Sequence, residues 1–317
     1  MTELGYWLSA EEHPPLDLVR NARRAEELGF GFAMISDHFH PWISAQGHSP
    51  FVWSVLGGIA ASTERIAVAT GVTCPLIRIH PAIVAQAAAT CGAMLPGRFT
   101  LGLGTGENLN EHVLGDRWPA PDERIELLEE AIEVIRLLWQ GEEQTHRGKH
   151  YTVDHARLYT LPEEEIPIVV AAAKPLAAAV AGRLGDGLVN TTPDEEIVTA
   201  YREAGGAGPR YGQVRLCWAE DEEAAKQTVH ELWRHTGLGG TVNQELPRPS
   251  DFEAASEGVT VEEATADVPC GPDPAPVLAA IRAWEQAGFD RISLHQVGPA
   301  QEGFFRFFEQ ELQPQLS

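Results

Sequence analysis

The sequence predicts an α/β fold, a (β/α)8 TIM barrel with insertions, and three observations predict it. Short apolar runs alternate with longer amphipathic ones until eight strand–helix units have been counted. The first strand runs into WLSAEEHPP, without the glycine-rich phosphate turn that a doubly wound sheet places there. A chain of 317 residues also suits one barrel-sized domain spanning 1–317.

The elements follow in order. Residues 4–8 read as the first strand and 15–28 as a helix that Gly29 ends. Residues 32–35 form the second strand and open into the polar loop SDHFHPW; a helix over 51–61 and a third strand over 66–70 come next. The alanine-rich stretch 82–94 is helical and closes at Pro96-Gly97, before a fourth strand over 99–103 that leads into GTGENLNE. Leu127, Leu128, Ala131, Ile132, Ile135 and Leu138 then recur at helical spacing. The second half gives strands over 166–171, 187–190, 214–218 and 291–295. Helices are expected over 175–184, 195–204, 222–235, 274–287 and 304–312. Two stretches exceed a minimal barrel. Residues 141–162 suggest a small hairpin, and 237–272, rich in Gly, Pro, Glu and Thr, suggest a lid or insertion.

Composition narrows the function classes. Forty-six acidic residues against twenty-three basic ones give a net charge of −23, which repels nucleic acid and anionic membrane. The N-terminal stretch has neither the basic start nor the apolar core of a signal peptide, and no apolar run reaches the ~20 residues of a membrane span. Cys74, Cys91, Cys217 and Cys270 are widely spaced and read as reduced thiols of a cytoplasmic protein. No metal is expected: His146, His150 and His155 sit in a polar stretch and read as surface groups.

Barrel enzymes carry their chemistry in the loops after the strands. Those loops hold Asp37, His38 and Trp42 after the second strand, and Gly71, Val72 and Thr73 after the third. Glu107 and Asn110 follow the fourth, Ala173, Lys174, Pro175 and Leu176 the fifth, and Thr191 the sixth. An imidazole beside a carboxylate and an indole suits proton transfer next to a flat ring, so His38, Trp42 and Glu107 are the catalytic candidates. Asp37 fits either a turn cap or a cofactor contact, and Lys174 either a phosphate contact or a solvated surface position.

The runs ISDHFHPW, TGVTCP, LGLGTGENLNEHVLG and IRLLWQG, with AGRLGDGLV and GFDRISLHQVG further on, resemble the luciferase-like barrel superfamily. SDHFxPW together with GTGExLNE is similar to its F420-dependent glucose-6-phosphate dehydrogenase family. That resemblance implies coenzyme F420, with FMN as the alternative, a small-molecule substrate and a homodimer. It implies that Asp37 contacts the deazaflavin, that His38 takes the substrate hydroxyl proton, and that Trp42 stabilises the transition state. Glu107 would exchange a proton with the ring. Gly71-Val72 falls at the family's non-prolyl cis peptide. Thr73, Asn110, Ala173, Lys174, Pro175, Leu176 and Thr191 fall where the family holds ring edge and phosphate tail. The family's sugar-phosphate users hold the phosphate with basic residues after the sixth strand and in the late insertion. Here TTPDEE puts Asp194 where a lysine is expected, and the insertion has Arg248 as its one basic residue. Acidic groups there repel a dianion, so the expected substrate is an uncharged alcohol, ketone or enone. An FMN-dependent monooxygenase and a non-catalytic F420 carrier remain the alternatives.

Overall fold

Apolar runs of the first half fold into strands that each pair in parallel with the next, because the helix between them returns the chain to the same edge. A computed structural model describes residues 2–316. Strand β1 (Glu3–Leu8), helix α1 (Pro15–Glu27), β2 (Phe32–Ile35), α2 (Val52–Ser62), β3 (Ala67–Thr70), α3 (Pro81–Met94) and β4 (Phe99–Leu103) come first. A single turn, α4 (Asn108–Glu111), precedes the long helix α5 (Pro121–Leu138). Pro121 starts α5, Asp122 and Glu123 occupy its first turn, and Arg136 its last, as the helix dipole favours. Its apolar face, including Leu128, Ile132 and Ile135, is buried against the barrel.

Strands β5 (Gln144–Arg147) and β6 (Thr152–Ala156) then pair antiparallel, so the hairpin expected over 141–162 is present. The chain continues through β7 (Ile168–Ala171), α6 (Pro175–Leu184), β8 (Gly187–Val189), α7 (Glu195–Glu203), β9 (Arg210–Leu216) and α8 (Glu222–Trp233). The 237–272 insertion folds into three short helices, α9 (Val242–Glu245), α10 (Pro249–Ala255) and α11 (Val261–Thr265). Helix α12 (Pro274–Gln286), β10 (Arg291–Gln296) and α13 (Gln301–Phe307) follow.

Eight strands close a parallel barrel in the order β1-β10-β9-β8-β7-β4-β3-β2. The sequence-based boundaries shift most in two places. The seventh barrel strand starts at Arg210 rather than 214, because its inward side begins with polar and aromatic groups that give no apolar run. The helix expected over 304–312 starts at Gln301 and widens into a π turn at Phe308–Leu312. Inside the barrel Trp7, Phe32, Met34, Ala69, Val169, Val189 and Tyr211 form a small core that floors the site. A larger core lies between strands and helices. No described helix is long and apolar enough to cross a membrane.

Candidate active site

Strand alternation decides which side chains enter the mouth. On β1, Trp7 points inward, and the chain runs on through Ser9 and Glu11. Glu11 is buried; its Oε2 accepts from Ser9 Oγ at 3.0 Å and Ser36 Oγ at 2.6 Å. Its Oε1 lies 3.5 Å from His38 Nε2. The other imidazole nitrogen, Nδ1, is 3.3 Å from the His40 carbonyl. A carbonyl can only accept, so this contact is made by a protonated Nδ1, with Nε2 turned towards Glu11. Trp42 stands next to it, with ring centroids 5.1 Å apart.

Trp42 is held from the far side by the segment beyond α8. His235 stacks on it at 5.1 Å and 16°, and Phe252 of α10 meets it edge-on at 5.3 Å. The insertion therefore packs directly on the candidate catalytic indole. Asn108 Nδ2 donates to the Glu245 carbonyl, and Glu253 accepts from Ser44 N, so both neighbouring loops are fastened to it.

Glu107 sits at the start of α4, its Oε2 3.3 Å from Asn110 Nδ2. Asn110 Oδ1 accepts from Phe39 N at 2.9 Å and His40 N at 3.2 Å. The amide thus ties the Glu107 turn to the His38 loop, and its role is that of a strut between two loops. Gly106 precedes it with φ +69; a Cβ there would meet Cys74 Sγ at 2.5 Å, so glycine alone fits.

Asp37 is buried with both oxygens engaged: Oδ2 accepts from Thr73 Oγ1 at 2.8 Å, Oδ1 from Arg78 Nη2 at 3.0 Å. Arg78 also pairs with buried Glu111 at 3.3 Å. Burial opposes the Arg78 charge, but Asp37 and Glu111 hold its pKa above the usual value. The Gly71-Val72 peptide is cis, at the position the resemblance indicates. After β3 and β4 and at the end of β7 the mouth is lined by Gly71, Val72, Gly104 and Ala171, a low wall of small residues. Beyond it Ala173, Lys174, Pro175 and Leu176 are exposed at the α6 N-terminus, and Thr191 is exposed after β8. Asp194 caps α7 by accepting from Glu196 N, a structural duty. The three hairpin-region histidines each meet a carboxylate: His146 with Glu130, His150 with Glu126, His155 with Glu143.

Several groups escaped the sequence reading. Glu11, Arg78, Glu111, His235 and the Glu12–His295 pair meet partners far along the chain, and Arg215 lies over the Trp233 ring. Applying the loop rule to WLSAEEHPP, after the first strand, would have flagged Glu11 and Glu12. Glu12 accepts from Trp233 Nε1 and Gly298 N and lies 2.9 Å from His295 Nε2. Burial alone would raise its pKa, but the His295 contact, the attraction of His295 and His13, and the Gly298 amide bring it to about 2.

The profile of the luciferase-like monooxygenase family matches residues 1–293. An F420-dependent glucose-6-phosphate dehydrogenase of Microbacterium testaceum is 34% identical, covering 98% of this chain and 96% of its own. A protein of the same name from Nocardia farcinica is 35% identical over 99% of this chain and 98% of its own. Among solved structures, an F420-dependent secondary alcohol dehydrogenase in complex with an F420-acetone adduct superposes with a TM-score of 0.91 at 28% identity, covering 98% of each chain. The chain therefore belongs to the luciferase-like monooxygenase family and, within it, to the branch of the F420-dependent glucose-6-phosphate dehydrogenases.

Proposed function

We propose that this chain is an F420-dependent oxidoreductase acting on a small alcohol or carbonyl compound, or an activated alkene, and that glucose 6-phosphate is not its substrate. The observation that carries this reading is the Glu11–His38–Trp42 arrangement in the loops after β1 and β2, joined through Asn110 to Glu107. The wall of small residues after β3 and β4 and at the end of β7 fits a flat ring laid against backbone. Free amides at the α6 start, with Lys174 beside them, fit an anionic tail. When bound, the deazaflavin supplies the hydride acceptor or donor.

The chain's own share is proton handling and placement. With Nδ1 protonated against the His40 carbonyl, Nε2 of His38 receives the hydroxyl proton as the alcohol is oxidised. Glu11 stabilises the imidazolium that results, and the two serine hydroxyls keep Glu11 in place. Trp42 offers an indole N–H and a water-excluding wall. Glu107 gives or takes the proton that balances the ring. In reduction every proton runs the other way.

Against glucose 6-phosphate stands the charge outside the barrel. Arg248 is paired with Asp251 and Arg124 with Glu245, while Asp194 adds negative charge after β8. A phosphate dianion needs positive partners, and the loop after β8 and the insertion leave none unpaired.

Titration with F420 and with FMN, followed by F420 absorbance during turnover of 2-butanol, acetone and glucose 6-phosphate, tests the reading. F420 should bind more tightly, and His38→Ala and Glu107→Gln should each lower kcat by ~10²–10⁴-fold while F420 affinity changes little. Tighter FMN binding with oxygen consumption would overturn it.

A further inference from the structure

Arg215 is the cation that the proton-handling scheme leaves unused. On β9, Tyr211 belongs to the barrel's inner core, so Gln213 and Arg215 face the same way, two and four residues nearer the mouth. Gln213 confirms that direction, because its Nε2 meets Nδ1 of His295 at 3.3 Å. In the closed strand order β9 lies across the barrel from β3, the strand that leads into the cis Gly71-Val72 bulge. Arg215 thus faces the small-residue wall from the opposite side of the mouth.

Its guanidinium is fixed and short of partners. The Cζ atom lies 4.3 Å over the Trp233 ring, which sets the plane of the fork. Nε is buried with no hydrogen-bond partner. Among the described residues no carboxylate comes within 4.0 Å of it, although Glu11 and Glu12 lie near enough to be felt. Burial lowers its pKa to about 10, with Glu12 and then Glu11 opposing. His235 is next to it, 5.3 Å from Trp233 between ring centroids, 1% exposed, and its Nδ1 is likewise without a partner. A guanidinium with a buried Nε and no ion pair is costly to keep unless a ligand completes it. A second buried and unpartnered donor or acceptor beside it marks the same place. The chain Arg215–Trp233–His235–Trp42–His38 runs from this spot to the candidate base through successive ring contacts.

We infer that Arg215 binds a carboxylate of the substrate, making this chain selective for a small hydroxy acid and its oxo acid. This rests on the hydride-transfer reading above and narrows its substrate class. A planar fork with unpaired N–H groups matches a carboxylate edge, and one guanidinium balances one negative charge. A phosphate dianion would face Glu11 and Glu12 with a single compensating cation, so the same geometry disfavours sugar phosphates. During oxidation the carbinol C–H leaves as hydride to F420, its hydroxyl proton passes to His38 Nε2, and the carbinol carbon becomes a carbonyl. The carboxylate stays on Arg215 throughout.

Saturation-transfer NMR titrations of the F420-loaded protein with 2-hydroxybutyrate, 3-hydroxybutyrate and 2-butanol test this without requiring turnover. At least one hydroxy acid should bind roughly tenfold or more tightly than 2-butanol, as a charged hydrogen-bonded pair allows. Arg215→Gln should abolish that preference and Arg215→Lys should retain part of it. The inference is overturned if 2-butanol binds as well as both acids, or if the preference survives in Arg215→Gln. Should Arg215→Gln fail to fold, the wild-type preference and its reduction in Arg215→Lys decide the matter, an unreduced preference counting against. Acid binding with no F420 absorbance change in either direction would overturn the hydride-transfer reading alone and leave the carboxylate site standing.

Discussion

Glu12 and His295 are 283 residues apart in sequence and 2.9 Å apart in the barrel. Three donors converge on this one carboxylate. Burial would raise its pKa, but the His295 contact, the charges of His295 and His13 and the Gly298 amide lower it from 4.5 to about 2. A folded-state pKa below the unfolded one stabilises the fold at pH above the unfolded value. That stability drains away as pH falls from about 4.5 through about 2. The displacement corresponds to ~3 kcal/mol for a group this well buried. Glu12→Gln should therefore unfold in urea at lower concentration at pH 7, with a loss of roughly 2–3 kcal/mol. The gap between variant and parent should narrow steadily below pH 4.5, where the parent carboxylate takes up its proton. A gap absent at pH 7 would mean that His295 and Gly298 find equal partners in the neutral amide, and a gap unchanged at pH 3 that the loss does not come from the carboxylate's charge.

At the scale of elements, the 237–272 insertion is held by α11 packed on α8, by backbone bonds of Cys217 with Pro269 and Gly271, and by Phe252. Phe252 of α10 is 0% exposed and packs with Ile43 and Leu109, against Trp42, Leu238 and Leu246. Arg124 reaches Glu245 at 3.2 Å while lying 4.4 Å over Trp118. Truncating a buried phenylalanine costs about 3–5 kcal/mol when the whole fold depends on it. Here the loss should fall on local opening, because the barrel closes without α10. Phe252→Ala should thus speed limited proteolysis within 237–272 at least ~10-fold, with a much smaller fall in Tm. Cleavage elsewhere first, or a Tm loss matching the proteolytic gain, would show that the insertion is part of the cooperative barrel.

The sequence could not announce this anchoring, since the insertion has no apolar period and Phe252 is one aromatic among polar neighbours. The barrel strands themselves were legible, because β2 (FAMI) is buried throughout, β7 (IVVA) in all but its last residue, and both read as apolar runs. Strand β9 was legible only in its second half, since Gln213 and Arg215 spend its inward face on the site. His38, Trp42 and Glu107 were legible from short loops with dense chemistry. Glu11 and Arg78 were not, because their partners are brought to them only by barrel closure, and Arg215 was not, because only the inward direction of β9 places it.

For the whole molecule, charge sets a term that no single contact does. Twenty-three more acidic than basic residues leave a net charge of −23. Many ion pairs on the surface are exposed on both sides, such as Arg20–Asp17 and Arg147–Asp154. Exposed pairs contribute ~0–1 kcal/mol each. The unpaired excess repels itself over ~30 Å at 0.01 M salt and ~8 Å at 0.15 M. Salt therefore weakens both a few short attractions and a broad repulsion, and with this imbalance the repulsion is the larger. Raising NaCl from ~0.01 to ~0.15 M at pH 7.5 should raise Tm in calorimetry by several degrees. KCl should do the same, since the effect is screening rather than ion binding. Near pH 5, close to the sequence pI of about 4.8, the salt increment should shrink, because the net charge that produces it has been titrated away. A Tm that falls with salt at pH 7.5 would reverse the ranking and make the ion pairs the dominant electrostatic support of the fold.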